Sequence, residues 1–166
     1  MSGFPLFSSL GILVLASACA GSATPREEAE KVMHAGLPSA RRAVADGREL
    51  TPFAFVMAST GDIRRIAPTE QSPGLASEEG VDSLVRDLRE GAETGHYKSI
   101  AIFVEVSIEP PAGGGKTEAV EVMLEHRDGY CVNAFFPFTR QADGAAEFAG
   151  FFAAPRPGAV FTGCNE

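Results

Sequence analysis

The segment 113–117, which reads GGGKT, is the first candidate for chemistry in this chain. A Gly-Lys-Thr ending is typical of the loop that cradles nucleotide phosphates, in which the lysine reaches the phosphate oxygens. The neighbouring residues do not fit that motif, because its opening glycine position holds Pro110 and the residues after Thr117 alternate as in a strand. We therefore predict a flexible hairpin loop here and no nucleotide cofactor.

The three histidines, His34, His96 and His126, are scattered along the chain. They lack the spacing of a metal site, such as two histidines on one helical turn. His126 is expected at the end of the sheet, and we interpret it as an ordinary surface or edge histidine. The sequence also has no Gly-x-Ser-x-Gly elbow and no Cys-His arrangement that would predict a nucleophile. We predict neither a catalytic constellation nor a set of metal ligands.

Residues 6–18 form an apolar run that ends in small residues, which is the pattern of a signal peptide and its cleavage site. The run is too short to span a bilayer comfortably. Because a signal peptidase admits only short side chains before the cut, cleavage is expected before Cys19. We therefore predict a signal peptide over 1–18, a linker over 19–25 and a single exported domain over 26–166.

The stretch 15–19, LASAC, resembles a bacterial lipobox, in which the cysteine thiol receives a diacylglyceryl group and becomes the new N-terminus. The resemblance implies that Cys19 anchors the protein to a membrane, since two or more acyl chains make attachment stable. Ala16 stands where lipoboxes prefer leucine, and residues 1–5 lack the usual lysine or arginine. The alternative is ordinary cleavage after Ala18 or Ala20, which would give a free secreted protein.

Assigning Cys19 to lipid leaves Cys131 and Cys164 as an even pair in an oxidising compartment. We predict a disulfide between them. It would close a loop of 33 residues and, on the chain-entropy model, stabilise the fold by about 4 kcal/mol at most. The alternative is a buried free Cys131 and a frayed Cys164 near the terminus.

The chain carries 14 basic and 22 acidic side chains, a formal charge of −8, and hydrophobic residues make up 45% of it. An acidic surface repels phosphate backbones and anionic lipid heads, so nucleic-acid binding and polybasic membrane attachment are disfavoured. The length of 166 residues suits one domain with a real core.

Two helices are predicted. The first falls in two pieces, 26–35 and 39–45, because Gly36 and Pro38 interrupt it. Ser77 can cap a second, central helix, whose apolar stripe at i, i+3, i+4 and i+7 suits packing on a sheet. The stripe consists of Val81, Leu84, Val85 and Leu88.

Strands are predicted where side chains alternate with a period of two. A hairpin precedes the central helix and further strands follow it, over 52–58, 63–66, 99–109, 120–125, 130–138 and 147–152, with a short closing segment at 159–161. This order predicts an α+β fold, a two-layer domain with an antiparallel sheet of about five to six strands, an N-terminal broken helix and one central helix.

The turn at 127–129 sets the register of one hairpin. A three-residue loop with Gly129 in the left-handed conformation pairs His126 with Tyr130, which keeps one face of both strands apolar. A two-residue Asp-Gly turn would instead mix polar and apolar side chains on each face. We predict the three-residue loop.

One predicted face of the sheet is the candidate partner surface, because it mixes acidic side chains with large apolar ones. A fully solvated face does not hold three large apolar groups, so something is expected to cover part of it. We favour the C-terminal tail, with Phe148, Phe151 and Phe152, and the alternative is a second subunit or partner. The face consists of Phe103, Glu105, Glu121, Met123, Glu125 and Phe135.

Four segments resemble a family of small uncharacterised bacterial exported proteins and lipoproteins, namely 52–55 (PFAF), 61–63 (GDI), 124–129 (LEHRDG) and 136–138 (FPF). The resemblance covers most of residues 26–152 and implies no activity, so no functional residue is carried over. The element order is also similar to that of roadblock and longin modules, which are binding scaffolds that often pair. That similarity implies a binding role at the level of the fold alone.

These features favour a non-enzymatic envelope lipoprotein that is exported, anchored in a membrane and exposed to the periplasm or cell exterior. Its domain would bind another envelope protein or a second copy of itself. Two alternatives remain open. One is a hydrolase of envelope material, which needs a pocket of convergent acids or histidines. The other is a carrier of a small apolar ligand, suggested by 12 Phe residues in a chain without Trp.

Overall fold

The structure, a computed structural model, describes residues 22–66, 78–111 and 113–164. Within these ranges the elements are α1 (Pro25–Ala45), β1 (Phe53–Ala58), β2 (Ile63–Ile66), α2 (Glu78–Glu93), β3 (Tyr97–Ile108), β4 (Thr117–His126), β5 (Tyr130–Arg140), β6 (Ala146–Phe148) and β7 (Phe152–Pro155). The predicted α+β fold with an antiparallel sheet of about six strands is confirmed. Ser77, the predicted helix cap, lies outside the described residues.

The strands form one antiparallel sheet in the order β2-β1-β3-β4-β5-β6. The free edge of β5 also pairs with β7, so β6 and β7 follow one another along that edge. The strand predicted over 147–152 is therefore two short strands. The segment 159–161 is not a strand, although Val160 and Phe161 are buried.

The β4–β5 turn has the predicted geometry. His126 pairs with Tyr130 and Leu124 with Val132, and Gly129 has a φ of 89°, which is the left-handed region that favours glycine. The alternation of side chains on these two strands was therefore sufficient to fix their register.

Helix α1 covers one face of the sheet. It begins with a capping box, in which the Glu27 N–H donates to Thr24 Oγ1 at 3.2 Å and the Thr24 N–H donates to the Glu27 carboxylate at 2.7 Å. The core on this face, called the α1 face below, includes Val32, Leu37, Val44, Phe53, Phe103, Val122, Leu124 and Phe136.

Helix α1 continues through Gly36 and Pro38, where a break was predicted. A side chain at Gly36 would clash with the ring of Phe103, so the glycine allows the helix to approach the sheet closely. Pro38 has no N–H, so the His34 carbonyl loses its helical partner, and both residues lie on the exposed side of the helix. Gly36 therefore serves packing, and neither Gly36 nor Pro38 ends the helix.

The other face of the sheet, called the α2 face below, is covered by α2 and by the tail after β7. The predicted stripe is confirmed, since Leu84 and Leu88 are buried and Val81 and Val85 pack beside them. Ile100, Ile102, Val104 and Met123 form the sheet side of this core, and Val160 and Phe161 complete it. Because both faces are covered, the centre of the domain has three layers where two were predicted.

Candidate functional site

The β3–β4 register divides the predicted partner surface between the two faces of the sheet. Val104 pairs with Glu121, and Glu105 pairs with Val120, so the two glutamates lie on opposite faces. Phe103 and Glu105 belong to the α1 face, whereas Glu121, Met123, Glu125 and Phe135 belong to the α2 face. The prediction that all six share one face is therefore wrong.

Glu125 holds the C-terminal tail on the α2 face. Its side chain is 0% exposed and accepts hydrogen bonds from Arg156 Nη1 at 2.7 Å and from the backbone N–H groups of Ala159, Val160 and Phe161 at 2.7, 2.8 and 2.9 Å. A buried carboxylate is stable only when it is paired and hydrogen-bonded in this way. Glu125 is therefore an anchor for the tail and offers no free carboxylate to a partner.

The next residue along β4, His126, holds the start of α1 on the opposite face. It is 2% exposed, so the prediction of a surface or edge histidine is wrong for this residue. Its Nδ1 accepts the Asp128 N–H at 3.1 Å, which leaves the ring proton on Nε2, 3.0 Å from the Glu28 carboxylate. Lys98 donates to the same carboxylate at 2.6 Å. Mainly because of the Lys98 hydrogen bond, the pKa of Glu28 lies below its ordinary value.

The predicted disulfide between Cys131 and Cys164 is confirmed, with the two Cα atoms 5.7 Å apart. It joins the end of the tail to β5 close to the Glu125 anchor. The predicted cover by tail phenylalanines is only partly right. Phe152 stacks on Phe135 at 5.0 Å on the α2 face, but Phe148 and Phe151 pack against α1-face residues of β5, namely Phe138 and Phe136.

Glutamates converge on an open cavity of about 570 Å³ beside the end of β3. Two of them are already engaged, since Arg140 donates to Glu105 at 2.9 Å and to Glu118 at 3.1 Å. Burial raises the pKa of Glu121, which faces the same cavity. In the part of the chain that the structure describes, no group of three or more His, Cys, Asp or Glu residues is placed to hold a metal ion.

A smaller cavity between α1 and the sheet is the candidate functional site, called the aromatic groove below. Its floor is the α1 face of β4 and β5, and its volume is about 250 Å³. Met33 and His34 form part of the α1 wall, and Phe151 forms the opposite wall. The remaining lining residues are Arg26, Glu30, Leu124, Tyr130, Val132, Ala134, Phe136 and Ala153.

Phe151 is the most exposed large hydrophobic side chain of the described residues. It is 68% exposed, against 37% for Ile63 on the opposite edge of the sheet. Its ring stacks on Phe136 at 5.7 Å, and Gly150 before it has a φ of 57°. Burial raises the pKa of Tyr130 at the other end of the groove. The groove therefore offers an apolar floor and an exposed aromatic wall.

Sequence reasoning missed the aromatic groove. The alternation along β5 places Phe136 on the same face as Val132 and Ala134, so the floor of the groove could have been predicted. The wall formed by Phe151 was not predicted, because Phe151 was assigned to the face opposite the one it occupies. Cys19, the predicted lipidation site, lies outside the described residues.

Comparisons with protein-family models, curated proteins and solved structures found no match. Among the described residues, no helix is both long enough and apolar enough to cross a membrane.

Proposed function

We propose that this chain is a non-enzymatic lipoprotein of the cell envelope, held to a membrane through lipid on Cys19, and that it binds a second envelope protein through the aromatic groove. The exposed wall of that groove, Phe151, is the observation that carries the proposal. An exposed aromatic side chain that adjoins an apolar pocket can act as an anchor at a protein interface. Its occupant is a protein segment that inserts one large apolar side chain.

The size of the groove favours a side chain over a free small molecule. Pockets for drug-sized ligands usually have volumes of roughly 300–1,000 Å³, and the groove has about 250 Å³. Protein interfaces, in contrast, concentrate their binding energy in a few aromatic or aliphatic anchors that fill small pockets. An inserted side chain would contact Phe136 and Phe151 together.

Lipid on Cys19 would determine where the groove lies relative to the membrane. Arg26, in the first turn of α1, lines the groove, and Cys19 precedes Pro25 by only six residues. An extended chain of that length spans at most roughly 20 Å. Lipid on Cys19 would therefore hold the groove close to the membrane surface, where other envelope proteins lie.

A carrier of a small apolar ligand is the second candidate, because the floor of the same groove is apolar. The hydrolase alternative has less support. Glu28, Glu125 and His126 are each held by groups of the protein itself. The feature that favours a hydrolase is Glu121, whose pKa is raised by burial and which lines the open cavity beside the end of β3. Glu105 and Glu118 in the same cavity are paired with Arg140.

Photo-crosslinking in living cells tests the binding proposal. A photoreactive phenylalanine analogue replaces Phe151 in one sample and Ile63, on the opposite sheet edge, in the control. We expect one discrete protein adduct from position 151 that is absent from position 63. The purified partner should then bind the wild-type chain at least tenfold more tightly than the Phe151→Asp variant, as for a hot spot, with both chains melting at the same temperature.

Each other outcome is informative. The same adducts from both positions, or an unchanged affinity, would contradict the protein-binding proposal. A dimer that Phe151→Asp converts to a monomer in light scattering would identify a second copy as the occupant. Groove-dependent binding of a fluorescent fatty acid without any protein adduct would favour the carrier.

Metabolic labelling tests the anchor separately. We expect a palmitate analogue to label the wild-type chain and not the Cys19→Ala variant. An unlabelled mature protein that begins at Cys19 or Gly21 would contradict the lipoprotein proposal, since these are the products of ordinary cleavage after Ala18 or Ala20. That result would not bear on the groove proposal, which the crosslinking tests independently.

A further inference from the structure

A second cavity, called the arginine pocket below, lies at the C-terminal end of α1. It has a volume of about 510 Å³ and is bordered by α1, the loop after it, and the start of β1 with its neighbour β2. Three guanidinium-bearing residues line it, Arg42 from α1, Arg48 from the loop and Arg65 from β2, together with one carboxylate residue, Glu49. This local excess of positive charge contrasts with the formal charge of −8 for the chain.

Two of these arginines are not neutralised within the described residues. Arg48 forms an ion pair with Asp46 at 2.8 Å. Across 22–66, 78–111 and 113–164, no carboxylate oxygen lies within 4.0 Å of Arg42 or Arg65. Of the eleven arginines in the described residues, five have a carboxylate within 4.0 Å. Arg42 and Arg65 belong to the other six and line the same cavity, so together they can take a negative charge from outside.

The helix dipole does not account for this arrangement. A cation near the end of α1 is favourable, which explains Arg42 by itself. Arg140, however, already donates to the Val44 carbonyl at 3.1 Å, and Arg65 belongs to a strand. What Arg42 and Arg65 have in common is the cavity that they line, since only Arg42 lies at the end of the helix.

The walls of the arginine pocket are fixed by the fold. The Arg65 guanidinium lies over the Phe53 ring, 4.6 Å from its centre, and that ring is buried and stacked on Phe103 at 4.8 Å. The Leu50 N–H donates to the Glu105 carboxylate at 3.1 Å, and the Arg48 N–H donates to the Ala43 carbonyl at 3.3 Å. The pocket is therefore largely formed before a ligand arrives, which lowers the entropy cost of binding.

We propose that the arginine pocket binds a phosphate ester, with the phosphate held by Arg42 and Arg65. The planar guanidinium group matches phosphate oxygens in a bidentate manner. The cavity is much larger than a small solute, since a water molecule occupies only about 30 Å³, and it therefore has room for the organic part of an ester. The remaining space lies beside Pro38 and Thr51, which are exposed, and the organic part of the ester can rest there. This site is independent of the aromatic groove and of the anchor.

Calorimetry on the full chain tests the proposal with four soluble probes: inorganic phosphate, glycerol 3-phosphate, a short-chain phosphatidic acid and glutarate. We expect both esters to bind more tightly than inorganic phosphate, and glutarate to bind most weakly. The Arg42→Gln, Arg65→Gln double variant should bind the esters at least tenfold more weakly, as expected for lost charge-assisted hydrogen bonds. Arg86→Gln, an exposed change on α2, is the matched control and should have no effect.

The two esters identify the source of the ligand. Tighter binding of the phosphatidic acid indicates a lipid headgroup, and tighter binding of glycerol 3-phosphate indicates a soluble ester. Equal binding of all four anions, or equal binding by the double variant and the control, overturns the proposal. Arg42→Gln alone serves if the double variant fails to fold, because Arg42 is exposed.

Discussion

Glu125 and His126 are neighbours on β4, yet they fasten opposite layers of the domain. The Glu125 carboxylate accepts a hydrogen bond from the Phe161 N–H of the tail at 2.9 Å. The His126 Nε2 lies 3.0 Å from the Glu28 carboxylate of α1. Because successive side chains of a strand point to opposite faces, two adjacent residues can hold both covering layers. These two buried polar side chains therefore hold the tail and α1 against opposite faces of the sheet.

Glu125→Gln should destabilise the protein by about 3–5 kcal/mol, the usual result of breaking a buried ion pair. The amide would place an N–H₂ group among Arg156 and backbone donors, where a hydrogen-bond acceptor is required. Urea unfolding at neutral pH measures the change. Glu109→Gln, an exposed substitution at the end of β3, should alter stability by less than about 0.5 kcal/mol. Equal effects of the two substitutions would show that the tail does not depend on Glu125.

Reduction of the Cys131–Cys164 disulfide should lower the free energy of unfolding by up to about 4 kcal/mol, since it closes a loop of 33 residues in the unfolded chain. Unfolding in the presence and absence of a reductant measures the loss. The Cys131→Ser, Cys164→Ser double variant should match the reduced protein and be insensitive to the reductant. A reductant effect that persists in the double variant would contradict this explanation.

Glu28→Gln should remove a pH-dependent part of the stability. Because the pKa of Glu28 is lowered from 4.5, chiefly by the Lys98 hydrogen bond, its ionised form stabilises the folded state. That contribution is fully present above the ordinary pKa and is lost as the pH falls through the lowered one. The stability difference between wild type and variant should therefore be constant near neutral pH and shrink below about pH 4.5. Urea unfolding over a pH series measures it, with exposed Glu93→Gln as the control. A stability difference between wild type and variant that grows as the pH falls would contradict a lowered pKa of Glu28.

Gly36→Ala should destabilise the protein, although alanine is normally favoured over glycine in a helix by about 1 kcal/mol. The added methyl group would clash with the ring of Phe103, which is buried and cannot move aside. Overpacking of this kind typically costs about 1–3 kcal/mol, so the packing effect should outweigh the helix propensity. Thermal unfolding measures the change. The control is the reverse exchange at the exposed neighbour, Ala35→Gly, which should lower the stability only by the difference in helix propensity. A Gly36→Ala variant that is more stable than the wild type would contradict the close approach of α1 to the sheet.

The sequence by itself determined the parts of this protein that depend on short-range patterns. The stripe through Leu84 and Leu88 identified α2 and its buried side, and the alternation around Gly129 identified the β4–β5 hairpin and its register. The pair Cys131 and Cys164 was found by counting cysteines. In each case the deciding residues lie close together in the chain or belong to a very small set.

The tertiary structure alone decided which faces those elements share. The long connection between β3 and β4 leaves their register open, and a shift of one residue moves every side chain to the other face. Glu105 and Glu121 were separated in this way. Gly36 likewise has a role that depends on Phe103, far away in sequence, and the aromatic groove exists only where Met33, Phe136 and Phe151 meet. Contacts of this kind depend on how distant segments pack, and no local pattern in the chain encodes them.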